Sequence, residues 1–254
     1  MSDYFIYDNA TQFKNYLKLL NQYFDELYLT MDQEGIKIRQ MDPSRVSMII
    51  FEMPKWIFRE YSCEQERKIA IALDSLIGSG KKPFRKTEKD ESVKFEFKDL
   101  EYQVTLMKQL KRTWTLPLLD DEFDEPPEPK LPESEAIITL TVDSLNKIID
   151  DLVEYESLTI ITEPDQIKFI QQTDTQIYGV PIRIGDEPLL KLETNNLTKA
   201  SYKVNYLKPF INSLKPISSI ITLQYSENMP IILTAHPPEE TTLKIYVAPC
   251  INTE

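Results

Sequence analysis

Helix-forming patterns return along this chain at a fixed interval, and a repeat of that length limits the fold more than any other feature. Apolar residues at i, i+3, i+4 and i+7 mark one face of a helix. They occur as Phe13, Tyr16, Leu17 and Leu20, as Leu145, Ile148, Ile149 and Leu152, and as Leu207, Phe210, Ile211 and Leu214. A residue able to cap a helix stands two positions ahead of each set: Thr11, Asp143 and Asn205. Asp74 stands likewise before Leu76, but Gly78 and Gly80 each cost roughly 1 kcal/mol against Ala in a helix, so only a short helix is expected there. Pro209 falls in the first turn after Asn205, where its missing N–H has no intrahelical partner.

Alternating apolar runs between the helices predict half-buried strands. Leu27, Leu29 and Met31 turn through Asp32-Gln33-Glu34-Gly35 into Ile36 and Ile38, and Val93, Phe95 and Phe97 turn through residues 98–101 into Tyr102, Val104 and Leu106. Leu158 and Ile160 precede Ile167 and Phe169, and Ile221, Leu223 and Tyr225 precede Ile231 and Leu233. Phe13 to Leu145 is 132 residues and Ile36 to Ile167 is 131. The expectation is an α+β fold of two similar antiparallel-sheet domains with two helices each, over 1–117 and 134–254. Between them, 118–133 is a connector, and residues 120–133 hold four prolines and seven acids, a composition that favours extended, solvated chain. Leu118, Leu119, Phe123 and Leu131 are more apolar than a passive linker needs.

Composition removes several kinds of chemistry. Five glycines in 254 residues, about 2% against a usual 7%, disfavour Gly-rich cofactor loops. A single histidine, His236, and two cysteines, Cys63 and Cys250, cannot build a multi-His site or a zinc cluster, which excludes most metal and triad chemistry. No apolar run approaches the ~20 residues of a membrane span, and the first ten residues lack a signal peptide's pattern, which points to an intracellular protein with reduced thiols and no membrane partner. The net charge of −12 makes general attraction to nucleic acid poor, so the placement of the basic residues matters. They gather on the helices: Lys14 and Lys18 away from the apolar stripe of the first, Lys81, Lys82, Arg85 and Lys86 after the second, and Lys203, Lys208 and Lys215 on or beside the last. Such a gathering fits a local phosphate-facing surface or plain solvated helix faces. The helix from Asp143 carries Lys147 but also Asp150, Asp151, Glu154 and Glu156.

Three stretches resemble the proliferating-cell-nuclear-antigen family of DNA sliding clamps: residues 40–48 (QMDPSRVSM), 206–210 (YLKPF) and 243–249 (LKIYVAP). The resemblance implies a three-subunit ring, of identical or related chains, with double-stranded DNA threaded through a helix-lined hole. It implies a processivity factor rather than an enzyme, working in cytoplasm and nucleoid if archaeal or in the nucleus if eukaryotic. The DNA-facing residues would be Lys14, Lys18, Lys81, Lys82, Lys147, Lys208 and Lys215. Subunits would join by pairing residues 102–108 (Tyr102, Val104, Leu106) with 176–184 (Ile177, Tyr178, Val180). Polymerase, clamp loader, nuclease and ligase would each insert a Gln-x-x-aliphatic-x-x-aromatic-aromatic peptide, the PIP box, into a pocket walled by Met41, Val46, Met48, Pro230, Tyr246, Ala248 and Pro249. Leu118, Leu119 and Phe123 of the connector would close it.

Two other readings compete. A metal-dependent nuclease needs Pro-Asp followed by acid-x-Lys; Pro164-Asp165 opens that pattern and nothing after it completes it. Gly78-Ser79-Gly80-Lys81-Lys82 mimics a phosphate loop with the wrong glycine spacing, and the acidic run Asp120, Asp121, Glu122, Asp124 reads more simply as solvated charge. A protein-only scaffold would leave the basic helix faces without a ligand.

Overall fold

The computed structural model describes residues 3–120, 122–194 and 196–250. In chain order the elements are β1 (Asp3–Tyr7), α1 (Ala10–Leu20), β2 (Glu26–Asp32), β3 (Gly35–Met41), β4 (Ser47–Pro54), β5 (Glu60–Ser62), β6 (Arg67–Ala72), β7 (Ser92–Phe97), β8 (Glu101–Met107) and β9 (Lys111–Pro117). There follow β10 (Ala136–Thr141), α2 (Val142–Asp150), β11 (Ser157–Glu163), β12 (Gln166–Gln172), β13 (Ile177–Arg183), β14 (Leu189–Thr194), β15 (Thr198–Lys203), α3 (Val204–Ser213), β16 (Ile220–Tyr225), β17 (Ile231–Ala235) and β18 (Thr242–Val247).

The chain divides into two compact units, one of Met1–Gln40, Ile50–Pro126 and Pro238–Thr242, the other of Met41–Ile49, Pro127–Pro237 and Leu243–Glu254. The first has strand orders β5-β1-β7-β8-β9 and β6-β2-β3-β4; the second has β14-β10-β16-β17-β18 and β15-β11-β12-β13. These orders are the same once each strand is replaced by its repeat counterpart, so the doubling read from helix spacing extends to the sheets. It reaches single side chains. Lys37 pairs with Asp32 at 2.7 Å across the β2–β3 turn, and 131 residues later Lys168 pairs with Glu163 at 2.8 Å across the β11–β12 turn.

Helix starts differ from expectation in a consistent way. Asn9, not Thr11, caps α1, accepting from the Gln12 N–H at 2.9 Å, while Asp143 and Asn205 lie inside the first turns of α2 and α3. β6, β10 and β15 each deliver the chain straight into the following helix or turn, and at all four starts the first N–H finds the carbonyl of a residue distant in sequence. Ala10 donates to Glu91, Leu73 to Asp25, Val142 to Ser219 and Val204 to Glu156, at 2.8–3.1 Å. The expected second helix is a single 3-10 turn, Leu73–Ser75, with Asp74 inside it and a further turn at Pro83–Arg85. Gly78 and Gly80, at φ near +100°, end it.

Both cores lie under the helices. Phe13 of α1 sits 5.2 Å from Phe95 and 5.8 Å from Phe5, and Tyr16 sits 5.0 Å from Phe51, so one helix covers strands of both its sheets. In the second unit buried Asn146 of α2 donates to its own Val142 carbonyl and to Ile211 of α3 at 3.2 Å, locking the helix pair. In the first unit Tyr102, Val104 and Leu106 face the interior with no exposure, and burial pushes the Tyr102 phenol up to about 12. Their strand β8 is paired on both sides, which overturns the expectation that residues 102–108 form a subunit-joining edge. The edge is β9.

The β2–β3 turn gives a stability prediction. Burial raises the Asp32 carboxyl, but the Lys37 ammonium and the N–H groups of Glu34 and Gly35 outweigh it and hold it below the usual carboxylate range. A carboxyl lowered on folding stabilises fully above its unfolded pKa, about 3.9, and loses that contribution as pH falls through the folded value. Asp32→Ala is expected to cost about 1–2 kcal/mol at pH 7 by urea unfolding and clearly less near pH 2. An equal cost at both pH values would assign the effect to packing.

Candidate nucleic-acid and partner-binding surfaces

Helix periodicity that buries Phe13, Tyr16 and Leu17 leaves Lys18 exposed and Lys14 half-buried on α1. Burial lowers the Lys14 pKa first, and the Lys18 charge lowers it further, so two ammonium groups compete for one region that an anion would relieve. The Lys14 Nζ donates to the Arg85 carbonyl at 3.1 Å, which brings the basic segment after the 3-10 turn beside α1. Lys81 is exposed and Lys82 half-buried. In the second unit Lys147 is exposed near the end of α2, and Lys208 reaches the Asp150 carbonyl at 3.5 Å. Exposed Lys215 lies 3.7 Å from Asp143. The acids that follow Lys147 in the sequence gather at one end of the helix: Asp150 is its last residue, and Asp151, Glu154 and Glu156 fall in the following turn.

Two strand edges face outward. In an antiparallel pair a residue exchanges both backbone bonds with its partner or neither, in alternation. Leu118 donates to Leu100, and Leu110 accepts from Lys108, so even residues of β9 point to β8 and the N–H groups of Lys111, Thr113 and Thr115 point away. On β13, Ile184 donates to Asp165, so odd residues point outward there. Pro181 is one of these, as expected of an edge strand, and the outward Arg183 N–H is capped by Asp186 at 2.7 Å. Ile177 is 71% exposed, while Tyr178 and Val180 are half-buried and the Tyr178 hydroxyl donates to Asp151 at 3.1 Å. Trp114 of β9 donates its indole N–H to the Lys81 carbonyl, placing Lys81 beside that edge as well.

Asp42 organises a third surface. Its buried carboxylate accepts from the Ser44 and Val46 N–H groups, at 3.0 and 2.9 Å, and from both the N–H and hydroxyl of Ser47. This network forces the chain through Arg45 at φ +58° and presents Val46 beside the second unit's last strand, where its carbonyl accepts from Ala248 at 2.9 Å. The β17–β18 register places Ile232 opposite Tyr246 and Ile231 opposite Val247, bringing Pro230 towards Ala248 and Pro249. Met41 is 39% exposed; Val46, Pro230, Ala248 and Pro249 are half-buried; Met48 and Tyr246 are buried. The Tyr246 hydroxyl donates to Glu128 at 2.8 Å. Asp42 and Glu128 went unread in the sequence, although Asp-Pro-Ser is a turn signal whose carboxylate is expected to bind nearby N–H groups.

In the first unit Leu118, Leu119 and Phe123 are half-buried and fixed. Leu118 donates to Leu100, Leu119 donates to Ala70, and the Phe123 ring lies 4.9 Å from Tyr28. Pro164 and Asp165 form the tip of the β11–β12 turn, and no group of metal-ligating side chains occurs among the described residues. Asp121 of the acidic run lies outside the described residues. No helix among them is long and apolar enough to cross a membrane.

Residues 5–120 match the proliferating cell nuclear antigen N-terminal domain. The chain is 27% identical over 245 residues to the DNA polymerase sliding clamp of Thermofilum pendens, covering 96% of this chain and 98% of that one. Among solved structures it superposes on proliferating cellular nuclear antigen from Entamoeba histolytica with TM-score 0.89 and 23% identity, covering 99% of this chain and all of the other. It superposes on a chain of the PCNA2–PCNA3 complex from Sulfolobus tokodaii with TM-score 0.85 and 23% identity, over 97% and 98% of the two chains. A doubled antiparallel architecture matched end to end in this way is that of a DNA polymerase sliding clamp. Such clamps are non-catalytic scaffolds. Residues 5–120 thus carry the proliferating cell nuclear antigen N-terminal domain, and nearly the whole chain is similar to DNA polymerase sliding clamps.

Proposed function

We propose that three subunits of this type close into a ring around double-stranded DNA and tether polymerase, clamp loader, nuclease and ligase through PIP-box peptides. Residues 1–117 and 134–254 act as the two clamp domains, with 118–133 as connector. No catalytic residue, metal or cofactor takes part. The observation that carries this reading is the pair of outward edges. Val46, just before β4, and Ala248, just after β18, are hydrogen bonded to each other, and the repeat counterparts of those two strands are β13 and β9. Pairing β9 of one subunit with β13 of the next satisfies the groups each leaves open.

Charge supports this pairing. Lys111 begins β9 and Lys81 lies beside it, whereas Asp151 accepts from the Tyr178 hydroxyl of β13. The acids after α2 thus serve assembly, and Lys14, Lys18, Lys82, Lys147, Lys208 and Lys215 serve DNA. Solution mass of the chain expressed alone tests the ring: about three times 29.7 kDa is a homotrimer, and 29.7 kDa means that related subunits supply the missing edges.

Replacing Lys14, Lys18, Lys82 and Lys208 together by Glu is expected to shorten retention on closed circular DNA at least tenfold. It should also flatten the salt dependence by about 0.9 in log–log slope for each phosphate no longer neutralised. Thermal unfolding should fall modestly, because Lys18 is exposed and contributes little to stability, whereas Lys14, Lys82 and Lys208 are half-buried. Retention equal to wild type at both 50 and 200 mM salt would remove these lysines from the DNA surface.

A further inference from the structure

An open groove of about 280 Å³ lies wholly within the first unit. Its floor exists because β3 begins at a glycine. A Cβ on Gly35 would stand 2.2 Å from the Met53 carbonyl oxygen, so only glycine lets the two backbones close up here. Ile36, Met53 and Pro54 give the floor an apolar surface, and Glu34, Glu52 and Glu240 set carboxylates around it.

One wall is Trp56, 63% exposed yet not loosely held. It sits in the 3-10 turn Lys55–Ile57, which is pinned by Lys55 donating to Glu34 at 2.8 Å and by Phe58 packed 4.9 Å from Phe5. Its indole N–H donates to Glu240 at 2.8 Å. That bond fixes the ring plane and adds electron density to its face. An indole face backed by carboxylates and opening onto a groove is a receptor for a cation.

The cations already present do not fill that role. Lys37 reaches into the lining, but its ammonium is bound to Asp32 at 2.7 Å. Lys55 stands 3.7 Å from Glu34, a separation beyond hydrogen-bond length, so a guanidinium seated in the groove can approach that carboxylate more closely than Lys55 does. We propose that this groove is a second docking site, which takes an arginine side chain from an extended basic segment of a partner protein. The planar guanidinium stacks on Trp56 and forks to Glu240 or Glu52, while its methylene stem lies on Pro54 and Met53. Lysine fits less well because an ammonium can neither stack nor fork.

The test uses the full chain and a fluorescein-labelled peptide, Gly-Arg-Gly-Arg-Gly, followed by anisotropy, with the citrulline analogue as a neutral isostere. The arginine peptide should bind at least tenfold more tightly than the citrulline one. Trp56→Ala should weaken it at least fivefold and Glu240→Gln at least threefold, with the far-ultraviolet dichroism of both variants unchanged. Tyr246→Phe should bind it as wild type does. In nuclear magnetic resonance spectra the Trp56 indole N–H signal, identified by its loss in Trp56→Ala, should shift on titration while that of Trp114 stays. Equal binding by wild type and Trp56→Ala would show only general attraction to an acidic surface and overturn the proposal. So would an unmoved Trp56 signal, or no binding at millimolar peptide.

Discussion

Thr113→Pro is expected to yield a folded single chain that no longer assembles. The Thr113 N–H points away from β8, so proline there removes an outward donor and puts ring atoms where a second strand must lie, while the β8–β9 ladder keeps its bonds. Gly179→Pro should act in the same way from the other edge, where Pro181 already shows that β13 accepts the residue. By light scattering at low micromolar concentration either variant should fall to about 29.7 kDa with a cooperative unfolding transition. Trp114→Pro, one residue along, is the contrast: its N–H belongs to the β8 ladder, and the first unit should lose its cooperative fold. A Thr113→Pro protein of unchanged assembled mass would place the interface elsewhere.

The other large effect concerns the surface around Tyr246. Aromatic anchors of a bound peptide carry most of the energy of such an interface, and Tyr246→Ala should weaken a consensus PIP-box peptide about tenfold, or ~1.4 kcal/mol, by calorimetry. The ring is only 7% exposed, so the variant also loses about 3–5 kcal/mol of stability. Two further variants separate these effects. Tyr246→Phe keeps the ring and loses the hydroxyl that bonds Glu128, and should bind within about twofold of wild type. Met41→Ser removes an exposed side chain and should weaken the peptide severalfold without a change in unfolding. If Tyr246→Ala and Met41→Ser, still folded, bind as wild type does, this surface has no part in partner capture.

What the sequence revealed about this fold follows the range of the interactions involved. The hairpins were legible because alternation and turn residues act over a few positions; Leu27 to Ile38 and Leu158 to Phe169 both form as expected. The edge strand was not, because being last in a sheet depends on residues far away. β8 and β9 both alternate, and β9 runs straight up to the connector boundary at 118. Basic Lys111 and Arg112 with Pro117 were the available signal, since edge strands favour such residues. Caps were misplaced for a related reason: the Glu91, Asp25, Ser219 and Glu156 carbonyls that replace them lie 48 to 81 residues along the chain from the N–H groups they serve. Lysine clustering was legible from helical phase, whereas the Asp42 network needed the folded turn.

Residues 238–242 belong to the first unit although nearly half the chain separates them from the rest of it. Their partners are specific: Glu239 accepts from the Tyr7 hydroxyl, whose pKa burial raises, and Glu240 holds Trp56. On a ribosome adding roughly 5–20 residues per second, these acids emerge about 6–23 s after Pro126. Until then Tyr7 and Trp56 lack their acceptors, so the half of the protein made first is completed among the last, and a truncated product stalled before Pro238 exposes that deficit to the cell's proteases.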